Sequence, residues 1–333
     1  MIIVTGGAGF IGSNLVAGLA AAGKNDIVVC DVLGTDDKWR NLAKRELRDL
    51  IRPEELFDYL EEHKDSVEII FHMGASSSTT EMDADFIMKN NFVLTRALWK
   101  WCAAHDTRFV YASSAATYGE GREGFKDDDS IEFLSHLRPM NPYGWSKHLF
   151  DRRVARITQD VSLTVPDAVP PQWAGLKFFN VYGPNEYHKE GQRSVVCHLY
   201  PQVIAGASAR LFKSYRDDYR DGEQKRDFVW VGDCVDVMLW LYQNPNVSGL
   251  YNVGSGKARS FNDLAASVFR AANMPTKINY IDMPQGLQDR YQYFTEADMT
   301  KLRAAGYTKP MTELEEGVRI YVQDYLSKED QYL

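Results

Sequence analysis

Cysteine is scarce. The 333 residues contain four, at Cys30, Cys102, Cys197 and Cys234, with no C-x-x-C spacing. That excludes a disulfide framework and a thiolate zinc cluster, and a reduced, cytoplasmic protein is expected. Histidine is sparse too, and its seven residues show no H-x-x-x-H or other ligand spacing, so no metal is expected. An excess of basic charge is missing. The formal net charge is −8, and no basic stripe emerges that could neutralise phosphates, which counts against nucleic acid as a partner. No apolar run approaches the ~20 residues of a membrane-spanning helix, so no membrane partner is expected. An apolar strand expected from residue 2 leaves no room for a signal peptide ahead of it. Internal repeats and low-complexity tracts are absent.

What is present is an alternation of strands and helices. Ile2-Ile3-Val4, Asp26 to Cys30, Val67 to Phe71, Arg108 to Ala112 and Leu176 to Phe179 are apolar, β-branched or aromatic runs. Helical segments separate them, as over Ser13 to Ala22 and Asp85 to Ala104. The pattern predicts an α/β fold: a Rossmann-type, doubly wound parallel sheet with a smaller, interleaved substrate-binding α/β domain. Residues 1–180 are expected to form the dinucleotide-binding domain, receiving about 227–250 as well, and 181–333 mainly the substrate domain. The charge-rich stretch from Lys213 to Arg226 reads as a loop.

The first strand runs into Gly6, Gly7, Gly9 and Gly12. Glycines there let backbone approach a pyrophosphate, and the following helix turns its free N–H groups and positive dipole toward it. Asp31 closes the second strand about 20 residues past this loop, where a carboxylate accepts bonds from an adenosine ribose. Asp31 alone favours NAD. Lys38 and Arg40, in the polar loop that follows, could pair with the 2′-phosphate of NADP, and the residues alone leave both cofactors open. Small residues after the next strand, His72-Met-Gly-Ala-Ser-Ser77, suit a loop running close to the cofactor.

Tyr143-Gly-Trp-Ser-Lys147 places a tyrosine one helical turn before a lysine, so both side chains share one face. An ammonium and a nicotinamide cation both favour phenolate, so Tyr143 is expected below its ordinary ~10 and able to act as a general acid/base at a hydroxyl losing hydride. Lys147 is expected to bond the cofactor ribose. Ser114, after the strand Arg108 to Ala112, is placed to hold the substrate oxygen, with Thr117 as a helper.

These motifs together resemble the extended short-chain dehydrogenase/reductases: Thr-Gly-Gly-Ala-Gly-Phe-Ile-Gly, Ser-Ser-Ala-Ala-Thr-Tyr-Gly, Tyr-x-x-x-Lys and Phe-Asn-Val-Tyr-Gly-Pro. More narrowly the chain resembles the ADP-L-glycero-D-manno-heptose 6-epimerase family, a likeness carried by several stretches. They are Ala-Ser-Ser-Ser-Thr-Thr-Glu (75–81), Asn90-Asn91, Tyr-Gly-Pro-Asn-Glu-Tyr-His-Lys189, Lys225-Arg226-Asp227-Phe228-Val229, Arg290-Tyr291-Gln292-x-Phe294-Thr295 and Leu302-Arg-Ala-Ala-Gly-Tyr307.

The resemblance implies an isomerase that inverts C6 of ADP-D-glycero-β-D-manno-heptose by transient oxidation to a ketone, with NADP resident. It implies a bacterial, cytoplasmic homo-oligomer, a pentamer in the family, that serves lipopolysaccharide inner-core synthesis. Tyr143 and Lys189 would be the two acid/base residues, with Lys147 and Ser114 in support. Gly6, Gly9, Phe10, Ile11, Gly12, Asp31, Val32, Lys38, Asn90 and the loop Met73, Gly74, Ala75, Ser76 and Ser77 would line the cofactor. Asn180, Val181, His198, Arg226 and Tyr291 would contact the ADP-heptose. Taken by itself, Lys189 reads as a solvated loop lysine.

Met73 stands where the family commonly carries Glu or Gln, and the segments 158–174 and 216–223 are longer than its norm, the second near the nucleotide. Other nucleotide-sugar epimerases and dehydratases, or a non-catalytic NADP-binding protein, are the alternatives. Ala115-Ala116 occupies the place where a dehydratase carries Asp-Glu, and a sensor has no need of Tyr143, Lys147 and Ser114 together.

Overall fold

A computed structural model describes residues 1–79, 81–159, 168–288 and 291–333. Its strands, in chain order, are β1 Ile2–Thr5, β2 Ile27–Cys30, β3 Asp49–Ile51, β4 Ile69–His72, β5 Arg108–Ser114 and β6 Trp173–Phe178. They continue with β7 Asn180–Tyr182, β8 Ala209–Phe212, β9 Lys225–Trp230, β10 Gly249–Val253, β11 Ala258–Ser260 and β12 Ile278–Ile281. Seven build one sheet in the order β10-β6-β5-β4-β1-β2-β3. Every pairing in it is parallel. From β1 the chain winds outward to β2 and β3, then returns to β4 on the other side, so the order reverses between β1 and β4. Ligands of open parallel sheets bind at that switch point, outside the carboxyl ends of the strands.

Both faces of this sheet are covered, which is why its central strands carry no polar alternation. Ile3, Val28, Ile70 and Phe109 pack into one cluster with Trp99 and Phe150. Their neighbours Val4, Val29, Phe71 and Val110 pack on the opposite face with Leu15, Leu19 and Leu241. A third core, with Val196, Leu199, Phe228, Val268 and Tyr321, lies under the rest of the chain. There β9 sits between β11, antiparallel, and β7, parallel, while β8 and β12 form a separate parallel pair.

The expected fold class stands, with sharper edges. The predicted helix over Asp85 to Ala104 is three pieces, Ala84–Met88, a wide π turn Lys89–Val93 and Leu94–Ala104. Lys225 and Arg226 are not loop but the start of β9. The helix Val231–Gln243 begins as soon as β9 ends and packs on the helix Phe10–Ala21. Residues 160–167 of the 158–174 segment lie outside the described residues, as do Thr80 and Arg290 of the family motifs. Among the described residues, no helix is long and apolar enough to cross a membrane.

Candidate active site

The glycine loop closes on itself and on β4. Gly6 has φ +66°, and a Cβ there would lie 2.5 Å from the Gly74 backbone. A Cβ on Gly12 would lie 2.1 Å from the Gly6 carbonyl. Gly9 caps the helix Phe10–Ala21, whose first turn holds no acidic residue, so its amide end keeps its positive potential. Gly6 and Gly74 thus bring the β1 and β4 ends together at the switch point. A cradle that side chains would fill, facing a helix N-terminus, suits the pyrophosphate of a dinucleotide.

Asp31 stands at the next strand end. Its Oδ2 accepts from Ala8 N at 2.9 Å and its Oδ1 from Val32 N at 2.7 Å. Lys38 Nζ donates to Asp31 Oδ1 at 2.7 Å and to the Val32 carbonyl at 2.8 Å. The two charges are therefore already paired, the lysine being only 18% exposed. Arg40 does not join them. Its guanidinium lies 4.5 Å from the Tyr332 ring centroid. The Val32 side chain is exposed beside the pair.

The loop after β4 is held from below. Ser76 N donates to Asn91 Oδ1 at 2.8 Å, while Asn91 Nδ2 donates to the Ser76 carbonyl at 2.9 Å and to Ser146 Oγ at 3.1 Å. Asn90, named from the family motif, turns its amide to the Phe86 carbonyl at 2.7 Å. The π turn sets the phase there, so Asn91 is buried under the loop and Asn90 is not. Met73 and Gly74 sit over Thr5, with Met73 N bonded to the Thr5 carbonyl at 3.0 Å. Ala75 and Ser77 are exposed on the rim. Beneath them His72 is buried between Thr5 Oγ1, at 2.6 Å, and Thr95 Oγ1, at 2.8 Å. Burial pushes its pKa down to about 3.

Ser114 ends β5. Its Oγ accepts from Ala116 N at 3.1 Å, and its carbonyl accepts from Thr117 Oγ1 at 2.8 Å. Tyr143 opens the helix Pro142–Gln159 and faces the Ser114 side chain. Gly144 permits this approach, since a Cβ on it would lie 2.8 Å from the Ala116 carbonyl. Lys147 is buried, with Nζ donating to the Ala112 carbonyl at 2.8 Å. Burial lowers its pKa to about 8, with the Asp151 carboxylate opposing. The expected lowering of Tyr143 is reversed in this structure: burial raises its pKa, and the hydrogen bond with Ser114 only offsets this. A buried phenolate loses its hydration, and that loss outweighs the Ser114 hydrogen bond.

Behind Ser114 lies a pair that the sequence reading missed. Lys177 Nζ donates to Asp151 Oδ2 at 2.6 Å and to Thr117 Oγ1 at 2.8 Å, and both charged side chains are fully buried. Ser113 Oγ donates to the same carboxylate oxygen at 2.7 Å. The signal was available: a lysine in the otherwise buried strand β6, and an aspartate one turn beyond Lys147.

Lys189 lies on the short turn Tyr187–Gln192, opposite the glycine loop. Its Nζ sits 5.4 Å from the Phe10 ring centroid. Burial lowers its pKa, opposed by the buried Glu186 carboxylate. The bland reading of a solvated lysine does not describe it. Ile11 follows Phe10 in the same helix turn, against the core. Arg226 and Tyr291 meet, the guanidinium 5.0 Å from the Tyr291 ring centroid and 5.8 Å from that of Phe261. Asn180 and Val181 start β7, with Asn180 exposed. His198 is half-buried on the helix Val195–Ile204, its pKa lowered first by burial and then by Arg193. Gln292 Nε2 donates to the Gly119 carbonyl at 2.6 Å, docking the Tyr291 segment on the turn that follows Ser114. An open cavity of about 820 Å³ adjoins this region, lined by Asp218 to Asp221, Glu223, Lys225 and Phe294 among others.

A family profile described as the NAD dependent epimerase/dehydratase family matches residues 2–254. The chain belongs to the NAD dependent epimerase/dehydratase family. Within it, the chain is 50% identical to an ADP-L-glycero-D-manno-heptose-6-epimerase of Fusobacterium nucleatum, with 100% of each chain covered. The crystal structure of the Helicobacter pylori ADP-L-glycero-D-manno-heptose-6-epimerase is similar at 28% identity, covering 97% of this chain and 95% of that one with a TM-score of 0.76. The Thermus thermophilus UDP-glucose 4-epimerase in complex with NAD follows at 26% identity, 96% and 97% coverage and a TM-score of 0.73. The resemblance read from the motifs is borne out, and the family's cofactor is a nicotinamide dinucleotide.

Proposed function

We propose that the chain is an isomerase that inverts C6 of the heptose in ADP-D-glycero-β-D-manno-heptose to give the L-glycero isomer, through a transient ketone. Two observations support this reading. Tyr143 faces Ser114 at the end of β5, and Lys189 lies half-buried beside Phe10 at the glycine loop. The 50% identity to the Fusobacterium epimerase over the whole length supports the choice of substrate.

When bound, a nicotinamide ring supplies the reversible hydride acceptor. Gly6, Gly9, Phe10, Ile11 and Gly12 would hold its pyrophosphate, Asp31, Val32 and Lys38 its adenosine ribose, and the 73–77 loop with Asn90 its inner half. NADP is the favoured form, because Lys38 cancels the charge of Asp31 that would repel a 2′-phosphate. Lys147 would bond the inner ribose. Arg226 and Tyr291 would clasp the ADP of the substrate, with His198, Asn180 and Val181 along its path.

Proton traffic falls to this chain's own residues. Ser114 holds the C6 oxygen. Burial shifts Tyr143 toward the phenol and Lys189 toward the amine, the directions in which one would donate a proton and the other accept it. Oxidation takes hydride from C6 and the proton from its hydroxyl. Return of hydride to the opposite face of the ketone needs one proton at the oxygen. A sugar that turns between the two steps finds a different group on each side. We also place the enzyme in the bacterial cytoplasm as a homo-oligomer, supplying lipopolysaccharide inner-core precursor.

Tyr143→Phe tests this. The variant is expected to keep its cofactor and lose turnover ~10²–10⁴-fold, the usual weight of a lost acid/base. Turnover of ADP-heptose at the wild-type rate would remove Tyr143 from the mechanism.

A further inference from the structure

The segment 330–333 lies far from the motifs in sequence, yet it joins two loops of the site. The Tyr332 ring meets the Arg40 guanidinium at 4.5 Å and stands edge-on to Tyr187, with centroids 5.2 Å apart at 80°. Its carbonyl accepts from Lys44 Nζ at 2.6 Å. On either side of it, the Gln331 carbonyl accepts from Tyr187 Oη at 2.8 Å, and Leu333 N donates to Asn185 Oδ1 at 3.0 Å. Arg40 belongs to the short turn Asp37–Asn41, in which Lys38 reaches Asp31. Tyr187 opens the turn that carries Lys189. One ring therefore lies between the adenosine end of the cofactor site and the second acid/base.

We propose that Tyr332 is a positioning residue of the reaction. It clamps the Lys189 turn to the Arg40 turn, so that cofactor retention and the placement of Lys189 are set together. The Lys189 half of this rests on the acid/base reading given above. The two turns also meet directly, through Asn41 at the end of the first. Asn41 Nδ2 bonds the Asn185 carbonyl at 3.1 Å and lies 3.2 Å from His188 Nδ1, but it touches neither Arg40 nor Tyr187 in this way. Loops without secondary structure owe their geometry to such contacts. At Tyr332 itself the clamp is the aromatic face, because the side chain meets Arg40 and Tyr187 through its ring while its bond to Lys44 runs through the carbonyl.

The test combines Tyr332→Ala, Tyr332→Phe, Lys189→Met and the double variant Tyr332→Ala/Lys189→Met in the full chain. Two quantities are read: nicotinamide dinucleotide released on denaturation after gel filtration, and kcat on ADP-D-glycero-β-D-manno-heptose with cofactor in excess. Tyr332→Ala is expected to release several-fold less cofactor. Its kcat should fall roughly 10-fold to 100-fold, the scale on which ångström displacements of reacting groups act. Tyr332→Phe, which keeps the ring, should match the unchanged protein in both. In the Lys189→Met background the Tyr332→Ala change should cost no further kcat, since its route to the chemistry is already gone. Additive losses in kcat, or an alanine variant that differs only in melting temperature, would overturn the proposal. If Lys189→Met keeps full activity, the acid/base reading of Lys189 fails on its own. The clamp is then judged by cofactor release, and undiminished release from Tyr332→Ala would overturn it too.

Discussion

His72 shows how far a single residue can be read. In the sequence it is one of the small residues' neighbours after a strand, with no partner in view. In the structure it is buried, and both ring nitrogens are taken, by Thr5 and Thr95. Its pKa is held at about 3, against ~6.5 in an unfolded chain. The unfolded state therefore binds the extra proton first. The stability that His72 contributes is complete above pH ~6.5 and is lost as the pH falls toward its folded value, at up to about 1.4 kcal/mol per pH unit. His72→Gln should unfold in urea with a shallower pH dependence between ~6.5 and 4; equal slopes in both proteins would mean that His72 does not carry the effect. Tyr143, Lys147, Ser114 and Asp31 were legible because their chemistry is written in short spacings. The pairing of Asp151 with Lys177 and the hold of Asn91 on Ser76 were not, because each joins residues distant in the chain. The direction of the Tyr143 shift was misread for the same reason. Spacing gives the neighbour Lys147, whereas burial, the larger cause, comes from the packing around both.

Among the elements, the glycine loop was the most legible, since its work is done by residues that lack a side chain. Gly12→Ala would drive a Cβ to 2.1 Å from the Gly6 carbonyl, a backbone atom that cannot rotate away. It should cost about 1–3 kcal/mol of stability, as overpacking does, and cofactor should no longer survive gel filtration. Gly286→Ala meets nothing within 4 Å and serves as the control, expected to be neutral in thermal unfolding. Equal melting temperatures for the two variants would contradict the close packing of the loop. The helix Pro142–Gln159 was legible from Tyr143 to Lys147 but its tight seat on the Ala116 carbonyl, through Gly144, was not. The turn holding Lys189 was least legible. A cation in a polar loop looks solvated until Phe10, from the other half of the sequence, is brought beneath it.

At the scale of the whole molecule, β1, β2, β4, β5 and β6 were visible as apolar runs. The short edge strand β3 and the pair β8 and β12 were not, because two of the three residues in β3 are exposed and the β8–β12 pair forms across some 70 positions of sequence. Their absence from the sequence reading left the substrate half vague, while the switch point between β1 and β4 was already implied by the glycine loop. The sheet brings the ends of β1, β4 and β5 side by side, and the proposed roles add Lys189 from a turn, Arg226 from β9 and Tyr291 from the chain beyond it. That convergence is the basis for the central claim, a redox inversion at one carbon in which the hydride never leaves the site. Proton NMR of ADP-D-glycero-β-D-manno-heptose incubated with the protein in D₂O tests it most directly. The L-glycero isomer should accumulate with its C6 hydrogen undiluted by solvent deuterium. Deuterium at C6, or no isomer even with NADP supplied, would contradict it.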